Sequence, residues 1–373
     1  MSQWIKTKLG EIVILNYGKA LKAQDRNAGS IPVYSSGGLT GWHNKALINE
    51  QGIIIGRKGT VGKAYLTYGP FWCIDTAYYI LPNPSKYDFV FLFYLLKTLG
   101  LEELNEDSAV PGLNRDTAYS QEILLPSLPE QKASASVLSS LDDKIDLLHR
   151  QNKTLESMAE TLFRQWFILD STGVSVSIDQ IIDFNPKRTL IKSQDATYLD
   201  MAGLSTVIFR ANGYYRRPFS SGTKFTKRDT LLARITPCLE NGKAAYIDFL
   251  DDNETGWGST EFIVMRPKKE IHPFISYIMC RNPDFKEYAE SCMEGSTGRQ
   301  RVNLDHLKKF NVNLPTEASL RIINELLDSF ESKLINNSKQ IDSLEKLRDT
   351  LLPKLMSGEV RVQYAEEAIA SVA

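Results

Sequence analysis

A chain that carries the same long helical seam twice, at one fixed offset, is constrained to be a doubled molecule, and this sequence does so. Between Ser127 and Ile168 apolar residues recur at alternating steps of three and four: Leu138, Leu141, Ile145, Leu148, Leu155, Ala159, Leu162 and Trp166, with Asn152 as the polar member. That spacing is the heptad seam of a helix packed on another helix. Each position has a counterpart 189 residues later, namely Leu327, Phe330, Leu334, Asn337, Ile341, Leu344, Arg348, Leu351 and Leu355. The same offset takes Asn114 to Asn303, Ile123 to Val312, Pro126 to Pro315 and Lys144 to Lys333. Solenoid and propeller periods run at roughly 20 to 50 residues, so the repeated unit here is half a protein.

The expected organisation follows from that repeat. Residues 1–126 form a first front domain, 127–169 a first long helix, 170–315 a second front domain, 316–358 a second long helix and 359–373 a tail. The fold class is α/β in the broad sense (α+β), with two domains of mixed strands and helices and two long helices packed as an antiparallel coiled coil. In the first domain Ile12–Leu15, Ile31–Tyr34, Gly52–Gly56, Ala64–Thr67 and Ala77–Leu81 read as strands, and Phe89–Leu104 as a helix. Ser127-Leu-Pro-Glu130 reads as a capping box opening a helix about 60 Å long at about 1.5 Å per residue, with Asp170-Ser-Thr-Gly173 as its terminator. Thr316 is the N-cap of the second helix, and Pro353 should end or kink it near Leu352.

The polarity of the helix pair is legible from its asparagines. In an antiparallel pair Asn152 meets Asn337, Leu138 meets Leu351, Ile145 meets Leu344, Leu148 meets Ile341 and Leu155 meets Leu334. A parallel in-register pair would set each asparagine against an aliphatic residue, at roughly 1 to 3 kcal/mol for each buried amide left unpaired. Antiparallel packing is therefore expected, with Asn152 beside Asn337. The alternative, two unrelated amphipathic helices each lying on its own domain, calls for a wider apolar face than this seam provides.

Composition narrows the function. The 373 residues are 42% apolar and 24% charged, an ordinary globular balance, and the net charge of −1 requires any nucleic-acid surface to be local. Cys73, Cys238, Cys280 and Cys292 are far apart and read as buried thiols of a cytoplasmic protein, not as a disulfide or zinc framework. No apolar run reaches membrane-spanning length, and no signal-peptide layout is visible. Gly52-Ile-Ile-Ile-Gly-Arg-Lys-Gly-Thr-Val-Gly-Lys63 runs a buried strand into a glycine-rich turn with three cations, where backbone amides could approach an anion. It is not a nucleotide P-loop, because Arg57 stands at the first glycine and Ala64 at the Ser or Thr.

Between Tyr17 and Ala64 seven Lys or Arg face two acids, with Tyr17, Tyr34 and Trp42 interleaved. From Phe209 to Ala245 eight cations face Asp229 and Glu240, and Gly298-Arg-Gln-Arg301 adds a further basic loop. The candidate DNA-contacting residues are Lys19, Lys22, Tyr34, Arg57, Lys58, Thr60, Lys63 and Arg115 in the first half, and Arg216, Arg217, Lys224, Arg234, Asn241, Lys243, Arg299 and Arg301 in the second. Thr230-Leu-Leu-Ala-Arg234 takes the place of the first half's glycine-rich strand. No catalytic set is apparent: each Asn-Pro lacks the following Pro-aromatic pair of an amino-methyltransferase loop, no nuclease acid cluster surrounds Pro283-Asp284, and His43, His149, His272 and His306 have no metal or triad spacing.

The doubled plan, the Gly-Arg-Lys-Gly-Thr-Val-Gly-Lys turn and Leu-Pro-Ser-Leu-Pro-Glu-Gln131 at the helix start resemble the specificity subunits of type I restriction–modification enzymes, over nearly the whole chain. The resemblance implies two target recognition domains, each reading half of a bipartite double-stranded DNA site, with the helix pair as a ruler between them. It implies two modification subunits as partners, which bind S-adenosylmethionine, and restriction subunits that use ATP and Mg; this chain would hold no cofactor and catalyse nothing. A stand-alone DNA-binding regulator of the same fold is the alternative.

Overall fold

The structure is a computed structural model and describes residues 4–104, 112–170, 172–296 and 298–362. It divides into two compact units, Met1–Asp146 with Asp342–Ala373, and Leu147–Ile341.

In the first unit the strands Asn16–Tyr17, Ala77–Ile80, Gly52–Gly56 and Ala64–Thr67 form one antiparallel sheet in that order. A second sheet orders Gly38–His43, Ile31–Ser35 and Trp72–Cys73, the last pair parallel. Gly52-Ile-Ile-Ile-Gly56 is buried at every residue because it lies between two partners and is apolar on both faces. Ile53 and Ile55 enter the main core with Phe91 and Leu92, while Ile54 enters a smaller core with Phe71 and Cys73.

The second unit repeats the plan. Ile182–Phe184, Phe262–Pro267, Thr230–Ala233 and Ala244–Tyr246 form the first sheet, again all antiparallel. The second sheet is Tyr215–Pro218, Asp195–Leu199, Thr255–Gly258 and Thr223–Thr226, with its middle pair parallel. Thr230–Ala233 stands where Gly52–Gly56 stands, and its alternate residues also feed two cores, Leu232 one and Leu231 with Ala233 the other. The correspondence reaches single hydrogen bonds: Leu113 N–H donates to the Arg57 carbonyl and Val302 N–H to the Arg234 carbonyl, each at 2.8 Å.

The long helices are α1 (Leu128–Phe163) and α2 (Glu317–Ser357). Within the first unit Leu138 shares a core with Leu351 and Leu355, and Arg348 donates to Asp142 at 2.9 Å. Within the second, Asn337 Nδ2 donates to Asn152 Oδ1 at 2.9 Å, and Asn313, ahead of α2, reaches the Ile168 carbonyl beyond the end of α1 at 3.1 Å. Both units therefore show antiparallel helices, and the expected asparagine pair is formed. Ile145, Leu148, Leu327, Leu334 and Ile341 are buried, while Leu141, Leu155, Leu162, Phe330, Leu344 and Leu351 are half-buried.

Several local expectations are corrected. Ile12–Leu15 is not a strand: Leu9–Ile12 is one helical turn, and Val13 and Leu15 are buried on either side of exposed Ile14 without joining a ladder. The alternation reflects burial, which a single extended segment also satisfies. The helix from Phe89 ends at Thr98, with Gly100 at φ +63° beyond it, not at Leu104. The capping box at Ser127 is not made, since Ser127 Oγ has no hydrogen-bond partner and Glu130 accepts from the Trp4 indole at 3.1 Å. Instead buried Gln131 donates to the Pro126 carbonyl and accepts from Asp88 N–H. Leu162 and Trp166 give way to Phe163 and Phe167 as the deeply buried pair, stacked 5.2 Å apart where α1 widens into π-helical turns at Arg164–Leu169. A helix of 3.6 residues per turn drifts off a 3.5-residue seam, and here a domain core takes over from the partner helix.

Thr316 does cap α2, its hydroxyl accepting from Ser319 N–H. Pro353 does not end that helix, because Leu355 and Met356 beyond it are buried beside Leu138. Gly358, at φ +78°, ends it, with Val360 N–H returning to the Lys354 carbonyl. The expected tail, 359–373, falls outside the described residues from 363 on, as do Ser171 of the α1 terminator and residues 108–111 of the stretch preceding Asn114.

Candidate nucleic-acid interface

The glycine-rich turn of the first unit is closed by its own backbone. Gly56 N–H donates to the Lys63 carbonyl, Gly62 N–H to Gly56, and both Arg57 and Lys58 N–H to Thr76. Those four amides are spent, so the expectation that the turn would wrap an anion in backbone donors is corrected for them. Gly62 is required at φ +77°, since a Cβ there would lie 2.3 Å from the Leu101–Glu102 backbone. What the turn presents is side chains.

Arg57 and Arg115, 58 positions apart in sequence, converge on one aromatic ring: their guanidinium carbons lie 5.0 and 5.3 Å from the centre of Tyr17. With Lys58, Tyr78 and the Gly112–Asp116 segment they line a cleft of about 430 Å³. Asn114 caps the short helix that carries Arg115, accepting from Asp116 N–H at 2.8 Å, and so fixes where that arginine starts. Arg57 also donates to the Asp75 carbonyl at 3.2 Å. Among the described residues none of the three cations forms an ion pair. Burial, then the hydrogen bond with Tyr17, pushes the Tyr78 hydroxyl up to about 12, with Arg57 and Arg115 opposing, so it remains a neutral donor, turned on the Leu113 carbonyl at 3.2 Å.

The other first-half candidates are not in this cleft. Thr60 and Lys63 are exposed along the turn, and Lys19 and Lys22 are exposed in the segment after Tyr17. Tyr34 is half-buried, edge-on to Phe71 at 6.2 Å against the small core, and reads as packing.

In the second unit Arg234 occupies the place of Arg57, and Arg301 the place of Gly112, each of the latter two bridging the strand-end residue that follows the arginine position. Arg301 grips Glu261 through Nε and Nη2 at 2.7–3.0 Å, and Arg234 Nε lies 3.9 Å from the same carboxylate. The hydrogen bond from Arg301 holds the Glu261 carboxyl below its ordinary range. Arg216 is fully engaged by Asp195 and Glu254, and Arg217 lies over Tyr198 and Trp257 at 4.8 and 5.2 Å. Lys224 sits over Phe219 at 4.9 Å; these three cations share the second sheet. Lys243 donates to the Met201 carbonyl at 3.0 Å, and Asn241 and Arg299 are exposed.

Sequence reading missed Tyr78, Asp195, Glu254 and Glu261. The acids that hold the arginines lie at or just before the starts of other strands, outside the basic stretch Phe209 to Ala245. His272, Asp328 and Glu331 are the one grouping with metal-ligand chemistry among the described residues. Arg228 already supplies its positive charge, 2.6 Å from Glu331 and 3.5 Å from Asp328. His272 Nδ1 accepts from Phe274 N–H at 3.1 Å, which leaves the proton on Nε2, facing Asp328 at 3.0 Å. Burial lowers the His272 pKa, and this network reads as structural.

The pattern that defines the type I restriction modification DNA specificity domain matches the chain twice, at residues 1–157 and 172–346. This chain belongs to the type I restriction–modification specificity subunits. The specificity subunit of type I restriction enzyme MjaIX from Methanocaldococcus jannaschii is 27% identical over 319 residues, 73% of this chain and 69% of that protein. The EcoEI specificity subunit of Escherichia coli is 26% identical over 261 residues, 65% of this chain and 43% of that protein. In fold, the S subunit of a type I restriction-modification system from M. genitalium superposes with a TM-score of 0.62 at 19% identity, covering 95% of this chain and 96% of that one. No helix of this specificity subunit among the described residues is long and apolar enough to cross a membrane.

Proposed function

We propose that this specificity subunit reads a bipartite double-stranded DNA target, one half with each unit, and holds two modification subunits, with restriction subunits joining them. The observation that carries the reading is the open cleft of Arg57, Lys58 and Arg115, cations brought together from distant sequence that form no ion pair among the described residues, at a place that recurs in the other unit. Guanidinium and ammonium groups beside an aromatic ring suit a phosphate backbone and the base edges next to it. Methyl transfer from S-adenosylmethionine, and ATP- and Mg-dependent cleavage, belong in this reading to the partner subunits, and this chain supplies recognition and no catalysis. Partner docking is supported by exposed apolar positions on the helices: Leu147 and Met158 stand eleven residues apart on one face of α1, and Leu147 lines a groove of about 440 Å³ with Gln151, Thr154 and Lys333.

The test is the double substitution Arg57→Ala, Lys58→Ala in the assembled methyltransferase. DNA affinity should fall and the slope of log K against log salt should become shallower by about 2, one per phosphate contact removed, while the subunits still assemble. Unchanged affinity and slope would refute the assignment.

A further inference from the structure

We propose that Arg301 reads a guanine in the half-target met by Leu147–Ile341, and that Glu261 is the residue that positions it. This deepens the DNA-reading function above and rests on it. An arginine has two hydrogen-bonding edges, the side edge of Nε with Nη2 and the end edge of Nη1 with Nη2. A carboxylate on the side edge leaves the end edge free and fixed in plane. Glu261 takes the side edge of Arg301, accepting from Nε at 2.9 and 3.0 Å and from Nη2 at 2.7 Å. Among the described residues nothing takes the end edge, and about half of the Arg301 side chain is exposed.

Three comparisons within the molecule single this arginine out. Arg216 has a partner on each of Nε, Nη1 and Nη2, from Asp195 and Glu254, whereas Arg301 has none on Nη1 among the described residues. Arg234, on the same carboxylate, turns Nη2 toward the Val302 carbonyl at 3.4 Å and is half-buried. Arg301 occupies the position that Gly112 holds in the first unit, on the rim of the cation cleft, so the doubled fold places it on the surface assigned to DNA. Glu261 takes the place of Thr76: the Arg57 amide donates to Thr76 and the Arg234 amide to Glu261. With two guanidinium groups sharing one carboxylate, the spot keeps a positive charge and remains open to an acceptor. Guanine offers two acceptors in the major groove, O6 and N7, at the spacing of an arginine end edge, and no other base offers two there.

The experiment selects bound duplexes from a randomised library with the assembled complex and sequences them. Wild type should return a bipartite site with a G·C pair in one half that Glu261→Gln and Arg301→Lys both relax, by roughly tenfold in discrimination, with every other position kept. Arg301→Lys retains the charge, so its salt slope should match wild type; it also serves if Glu261→Gln assembles poorly. An unchanged site in both variants overturns the proposal. So does a uniform gain in affinity for all duplexes with Glu261→Gln, which would mean that the carboxylate only masks charge. If wild type selects no bipartite site at all, the DNA-reading function itself fails, a result distinct from either of these.

Discussion

Glu156 shows what a single buried carboxyl costs this molecule. It is on α1, inside the core of the second unit, accepting from the Tyr277 hydroxyl at 2.8 Å, and Tyr277 in turn accepts from Arg281 Nε at 2.9 Å. Burial raises its pKa to about 7 against these favourable contacts. In the unfolded chain the group titrates near its ordinary 4.5. Between about pH 4.5 and 7 the folded protein therefore holds a proton that the unfolded chain has lost, and stability falls as pH rises through that window. Glu156→Gln stays neutral throughout, so it should match wild type near pH 4.5 and exceed it by about 1 to 3 kcal/mol at pH 8. Urea denaturation of both proteins at the two pH values measures this, and a difference that does not grow with pH would refute it. Comparing the two proteins also cancels His272, whose lowered pKa acts in the opposite sense.

At the scale of elements, the asparagine pair decides how the helices meet. Asn337 is fully buried and donates to Asn152, while Asn152 Nδ2 lies 3.4 Å from Ser338 Oγ. Asn337→Leu strands the Asn152 carbonyl and should cost about 1 to 3 kcal/mol; Asn152→Leu leaves Asn337 Nδ2 only the longer bond to Gln151 Oε1, at 3.4 Å, and should cost about 1 kcal/mol. The double variant removes both needs and should recover most of the loss, so a denaturation cycle should show coupling of at least about 1 kcal/mol. Additive losses would mean that the amides do not depend on each other. This pairing was legible in the sequence because polarity inside an apolar seam has few places to go. The positions of Phe163 and Phe167 were not, because the seam pattern says which face meets a helix and nothing about where a domain core displaces that helix. Pro353 misled for the same reason: its missing amide is a local cost, and the burial of Leu355 and Met356 is a non-local gain that outweighs it.

The whole molecule is a duplication, and equivalent positions should behave alike. Asn114 and Asn303, 189 residues apart, both cap a short helix, accepting from Asp116 N–H and from Asp305 and His306 N–H. Each Asn→Ala substitution should cost about 1 kcal/mol, and Asn303→Ala the more, since its Nδ2 also donates to Glu294 at 2.9 Å. Denaturation of the two variants checks this, and no loss at either site would break the equivalence. The sequence by itself determined the doubling, the polarity of the helix pair and the central buried strand, because periodicity and repeated offsets are written in consecutive residues. Only the tertiary structure decided which cations are available. Arg57 and Arg115 meet over Tyr17, Arg216 is engaged by Asp195 and Glu254, and Arg301 is held along one edge by Glu261. Charge pairing acts through space over a few ångströms, and counting along a chain does not see it.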